Sequence, residues 1–329
     1  MSPSPISDKR WGRRRFGWRW LVEALALIIG VTLLSFSLIV YFGPDLTYKQ
    51  LGKNPTAQEI AQVRSALGYD QPFWQRYGSF LGQLLRADLG VSDDSGEPIR
   101  RILGRTVPVS LMLLLPGFVL GNVLGMAGAM RAAWQRNQWP DRLLSGSAVL
   151  GMSLSFPVVI ILCRWLFSSH AGLGWFPVQG WEVHDWPSYL NYVSVPTLAL
   201  LTVTLGYNLR YYRALLVEEL NKDYVLTARA NGAGGAAIML RHVLGNIWVP
   251  VVTRILFSLP SLLIGGSLLL ETYFSIPGVG REAYNAVISG DQSLLLALVT
   301  LTAVLFALMN LLIDPLYAWV DPRLRRRPA

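Results

Sequence analysis

Val107–Met130 reads VPVSLMLLLPGFVLGNVLGMAGAM, 24 residues without one charged side chain. A helix crossing a hydrocarbon layer about 30 Å thick needs roughly 20 such residues. Working outward, the same signature returns at Ala24–Phe42, Leu143–Cys163, Trp186–Leu209 and Gln292–Ile313. A sixth window, Gly245–Leu270, is interrupted only by Arg254. None of these windows alternates with the period of a membrane β-barrel, and backbone groups in lipid must be satisfied within the protein, so the spans are helices. The composition agrees. Of 329 residues, 52% are apolar and 15% are charged, against about 25% charged in soluble domains.

A net charge of +9 raises the question of nucleic acid, and the placement of the charge answers it. With the amino terminus inside, 18 basic residues fall on the cytoplasmic side: Lys9, Arg10, Arg13–Arg15 and Arg19 in the first tail, then Arg131, Arg136, Arg142, Arg210, Arg213, Lys222, Arg229 and Arg241, and four arginines between 323 and 327. The two short external loops hold one, Arg281. This is the positive-inside bias of a membrane protein, not a nucleic-acid surface. Cys163 is the only cysteine and lies in an apolar span, which excludes an internal disulfide and argues against a cysteine metal site. The basic start followed by an apolar run imitates a secretory signal, but the run is too long and lacks a small-x-small cleavage site, so it reads as a retained first helix.

The expected architecture is an all-α polytopic membrane protein with six transmembrane helices and both termini cytoplasmic. A basic tail (1–19) precedes helix one (20–43) and an external region (44–106). A five-helix core (107–318) follows, with spans near 107–130, 143–167, 194–217, 246–270 and 293–318, and a second basic tail (319–329) closes the chain. The external region reads as a small folded cap. Thr56 and Glu59 form a capping-box pattern, Ile60, Val63 and Leu67 recur at helical spacing before Gly68, and Leu81, Leu84 and Leu85 suggest another amphipathic helix. Gly117, Gly121 and Gly125 line one face of their span with the small residues that let helices approach closely, either inside the bundle or against a partner subunit.

The connection 218–245 is long for a helix hairpin, where 2–8 residues is usual. Its alanines favour helix while Gly232, Gly234 and Gly235 interrupt it, so two short helices with a glycine bend on the membrane face are expected. A plain solvated loop is the alternative, yet Tyr224, Val225 and Leu226 beside charges look like an anchor for a partner's groove.

Asp223-Tyr224-Val225, Thr227-Ala228-Arg229-Ala230, Gly232, Arg241-His242, Leu244, Asn246 and Pro250 resemble the cytoplasmic coupling loop of ABC-importer permeases of the dipeptide/oligopeptide class. Gly68-Tyr69-Asp70-Gln71-Pro72, Asp88-Leu89-Gly90-Val91-Ser92, Gly174-Trp175-Phe176-Pro177, Glu271–Gly280 and Asp321-Pro322-Arg323 resemble the B-type subunit of that class. One departure is Leu226-Thr227-Ala228 where the general loop has Glu-Ala-Ala, and another is the run Gly234–Ala237 where polar or basic residues are usual. The resemblance implies an inner-membrane transport subunit that forms half of a translocation pathway. It implies a second homologous permease, two ABC ATPase subunits that bind ATP and magnesium, and an extracytoplasmic solute-binding protein. No cofactor is implied in this chain. Peptides are the implied solute, with nickel chelates, antimicrobial peptides or sugars as alternatives on the same fold.

Enzyme readings fare poorly. No GxxxxGK[ST] is present to cradle ATP phosphates, and Gly232–Ala237, a formal GxGxxA, follows a charged helical segment rather than a buried strand. His170, His184 and His242 are scattered without HExxH, and Gly151-Met152-Ser153-Leu154 falls short of a serine-nucleophile motif. Intramembrane polar residues remain candidates for function by default. Arg254 and Arg164 fit snorkelling or an ion pair within the bundle, and Asn310 with Asp314, one turn apart, fits a helix-end pairing.

Overall fold

A computed structural model describes residues 13–47, 51, 56–66, 68–169 and 171–320. Most of them are helical, and the described residues contain one isolated β-bridge, Val91 with Pro98, and no strand. In chain order the elements are α1 (Arg13–Phe42), α2 (Ala57–Ala66), α3 (Phe73–Leu85), α4 (Ile99–Trp134), α5 (Trp139–Ser153), α6 (Phe156–Ser168), α7 (Trp186–Leu220), α8 (Asp223–Ala230), α9 (Gly235–Phe274), α10 (Val279–Ser289) and α11 (Gln292–Val320). Five of them, α1, α4, α7, α9 and α11, are long and apolar enough to cross a membrane.

The expected third span is not one straight helix. Its two halves, α5 and α6, meet at 100° across Leu154 and Ser155, whose backbones are extended. Pro157 explains the break: it has no N–H to give the Ser153 carbonyl, and its ring would clash there. Counted as one bent span, the pair brings the total to six. The other spans outrun their charge-free windows. α4 starts at Ile99, inside the region expected to be external, and α11 continues to Val320, into the expected tail. Residues 1–12, 321–329 and the Asp314 side chain lie outside the described residues.

Local chemistry fixes the element ends. Asp185 caps α7, accepting the Ser188 N–H at 2.9 Å while Ser188 Oγ accepts the Asp185 N–H at 3.0 Å, and Pro187 occupies the first turn. Thr56 and Glu59 make the expected reciprocal box at the start of α2. Two wide π-helical turns, Ile238–Val243 and Leu262–Gly266, interrupt α9.

Packing divides the bundle. α4 and α7 share the most extensive contact, along a seam of glycines. A Cβ on Gly117 would lie 2.9 Å from Leu200 Cδ2, and one on Gly125 would lie 2.8 Å from Asn208 Cβ. One on Gly121 would overlap Thr204 Oγ1 at 2.2 Å. α1 and α11 form the second large pairing. α3 lies against α1, where Tyr77 OH donates to the Ile29 carbonyl at 3.1 Å and the rings of Phe73, Tyr77 and Phe80 surround Phe36. The region between α1 and α4 is therefore docked on the bundle.

Polar clasps close the end of the bundle opposite α8. Asp291, 1% exposed, caps α11 and accepts Ser92 Oγ at 2.5 Å and the Asp93 N–H at 3.1 Å. Asp93 in return accepts the Ser293 N–H at 2.8 Å and its hydroxyl at 2.9 Å. Nearby, the buried Glu271 carboxylate accepts Ser110 Oγ at 2.6 Å and the Arg281 N–H at 3.0 Å.

Candidate functional site

The segment joining α7 to α9 is built around two anchors. The first is polar. Glu219, buried in the last turn of α7, accepts Lys222 Nζ at 2.5 Å and Tyr224 OH at 2.8 Å, and the Asn246 side chain hydrogen-bonds with both Glu219 and Tyr224. Burial, with the anionic carboxylate alongside, pushes the Tyr224 phenol up to about 12, so it remains a donor at any physiological pH.

The second anchor is apolar. Val225 is 0% exposed and packs among Ala129 and Ala133 of α4, Tyr212 and Leu216 of α7, and Ile238, Met239 and Val243 of α9. This corrects the expectation that Tyr224, Val225 and Leu226 together reach for a partner. Tyr224 and Val225 fasten α8 to its own bundle, and only Leu226, 59% exposed, points away. A cluster containing ten buried apolar residues outcompetes solvent for the valine.

α8 ends in a Schellman turn. Ala233 N–H reaches the Ala228 carbonyl and Gly232 N–H the Arg229 carbonyl, both at 3.0 Å, with Gly232 at φ +80°. Asp223 in the first turn and Arg229 in the last complement the helix dipole. The indole of Trp134, at the end of α4, then serves as a platform. Arg229 Cζ stands 5.6 Å from its ring centroid, and Gly235 lies so close that a Cβ would fall 2.2 Å from Trp134 Cζ2. Gly235 thus has a steric reason. The second short helix expected after the bend does not exist as a separate element, because from Gly235 the chain runs straight into α9 through the first π turn.

The other expected residues are placed as follows. Asp223, Thr227, Arg229 and Ala230 of α8 and Gly232 just after it are exposed, with Ala228 half-buried. Arg241 and His242 are exposed on the π turn, and Pro250 lies within α9, its carbonyl accepting Tyr211 OH at 3.5 Å.

A family model for the binding-protein-dependent transport system inner membrane component matches residues 117–326, and a companion model for the N-terminal part of such components matches residues 14–97. The chain belongs to this family. It is a multi-pass inner-membrane permease of the ABC-importer type, a transport subunit rather than an enzyme. It is 28% identical to the dipeptide transport system permease protein DppB of Alkalihalophilus pseudofirmus, over 94% of this chain and 99% of that protein. It is 33% identical to the glutathione transport system permease protein GsiC of Escherichia coli K12, over 93% and 97%.

Sequence reasoning missed parts of the permease's site. Glu219 and Trp134 were not singled out, nor was Asp141, which supports the site from α5. Asp141 is buried and accepts Arg213 Nε at 2.6 Å and Nη2 at 2.7 Å, with the Asn137 N–H and Ser145 Oγ as further donors. A signal for Asp141 existed: it is the one acid in a connection that carries Arg131, Arg136 and Arg142.

Proposed function

We propose that this permease forms half of the translocation pathway of a peptide importer, and that the outer face of α8 docks in a groove of a cytoplasmic ATPase subunit. The second half is a homologous permease, two ATPase subunits bind ATP and magnesium, and an extracytoplasmic binding protein delivers the solute. Relatives named for dipeptide and glutathione transport support the peptide class.

The observation that carries the reading is the two-faced character of α8. Its inner side is locked to α4, α7 and α9 through Val225 and Glu219, while Leu226 and Thr227 are exposed. A push on the outer face is therefore delivered to three spans at once. ATP-driven closure would rock these helices and switch access between the two sides of the membrane. Only contacts that differ between open and closed ATPase states can drive that switch.

The discriminating experiment substitutes adjacent residues. Leu226→Asp should leave the permease folded and inserted but lose the ATPase subunits on co-purification. Val225→Asp, on the inward side, should lower the yield of folded permease. Retention of the ATPases by Leu226→Asp at the wild-type level would refute this docking face.

A further inference from the structure

Arg254 sits at the middle of α9, one turn inward from Pro250. It does not run to a helix end: its guanidinium stacks on the Tyr211 ring, Cζ 4.4 Å from the centroid, and its Nε donates to Asn208 Oδ1 at 3.3 Å. Among the described residues no carboxylate pairs with it. A cation at this depth is costly without a counter-charge, yet α7 and α9 hold it in one geometry.

The surroundings are equally specific. Arg254 lines two open clefts, as does Ser258: one of about 680 Å³ between Tyr211 of α7 and α9, and one of about 440 Å³ to which α4, α6, α7 and α9 all contribute. Thr204, Asn208 and Ser261 add further polar groups to the smaller one. A guanidinium carries five N–H donors in a planar fork. Stacking occupies one face and Nε serves Asn208, which leaves the Nη donors free for an acceptor with two oxygens. A planar carboxylate is the anion that this edge fits in bidentate fashion.

We propose that Arg254 is an anion subsite in the translocation pathway and receives the terminal carboxylate of the peptide in transit. The assignment rests on the peptide-importer reading above and deepens it by naming a substrate contact. Tyr211, which supports the guanidinium, also donates to the Pro250 carbonyl four residues away.

The test uses the complete importer in proteoliposomes with its binding protein, and a dipeptide library with free carboxyl termini read by mass spectrometry. Arg254→Gln should cut uptake at least about tenfold, the worth of a charge-assisted pair, while assembly and binding-protein-stimulated ATP hydrolysis persist. Arg254→Lys, which keeps the charge, should retain a substantial part of the uptake. Wild-type uptake by Arg254→Gln would overturn the subsite. So would a proportional loss of ATP hydrolysis, or a Lys variant as defective as the Gln variant, since either marks a structural role. A wild-type importer that carries none of the library would overturn the peptide reading itself, and the subsite with it.

Discussion

Asp141 and Arg213 meet as two parallel hydrogen bonds, Nε to Oδ1 at 2.6 Å and Nη2 to Oδ2 at 2.7 Å, and so tie the short α5 to the α8 end of α7. Asp141 is almost wholly buried and Arg213 about a quarter exposed, so the pair is screened far less than a surface bridge.

Removing one partner strands the other. Asp141→Ala should destabilise the permease by about 3 kcal/mol, the low end of the range for breaking a buried pair. Arg213→Ala, which strands the more deeply buried of the two charges, should cost at least as much, and the double variant less than the two summed. Thermal unfolding in detergent across the four proteins checks this, and strict additivity would contradict a coupled pair.

The glycine seam predicts a steric pattern along one helix. Gly121→Ala places a methyl group against Thr204 and should cost about 1–3 kcal/mol, with part of the loss restored by Thr204→Ala. Gly104→Ala, on the same helix with nothing within 4 Å of its added Cβ, should be neutral or mildly stabilising. The same unfolding assay ranks all three.

Gly232 separates geometry from bulk. Its surroundings are open, but its φ is +80°. Gly232→Asn should preserve uptake, since asparagine tolerates the left-handed region. Gly232→Val should lose most of it while still inserting, the strain being roughly 1–3 kcal/mol. Peptide uptake and complex assembly, measured side by side, decide it; equal uptake by both variants would make the turn dispensable.

The distribution of basic residues predicts sidedness. In a Cys163→Ser background, a cysteine at Asn231 should react with a membrane-impermeant reagent only from the cytoplasm, and one at Gln179 or Asn285 only from outside. External labelling at Asn231 would invert the topology.

Much of this was written into the sequence in a form that needs no partner. Charge-free windows mark helices because lipid penalises charge anywhere along them, and the Thr56–Glu59 box declares a helix start within four residues. The direction of Val225 is different. It depends on Ala129, Tyr212 and Ile238, which come from three other stretches of chain, and an eight-residue helix has no periodic pattern long enough to point inward by itself. The bend at Leu154–Ser155 was signalled only by Pro157, and prolines also sit inside unbroken spans such as α4 and α7. The merging of the second loop helix into α9 rests on the fit of Gly235 to Trp134, a contact between residues about a hundred positions apart.

The exchange between Ser92–Asp93 and Asp291–Ser293 sets a limit on how this permease can be recombined. Each carboxylate is satisfied by a hydroxyl and an N–H supplied from the far side of the joint. A chimaera that takes its amino-terminal third from a protein lacking Ser92 and Asp93 leaves the buried Asp291 without its hydroxyl donor and Ser293 without the carboxylate that accepts from it. Grafting Asp93 opposite a foreign partner sets a carboxylate against whatever that chain presents. The two parts are interchangeable only when both halves of the clasp travel together.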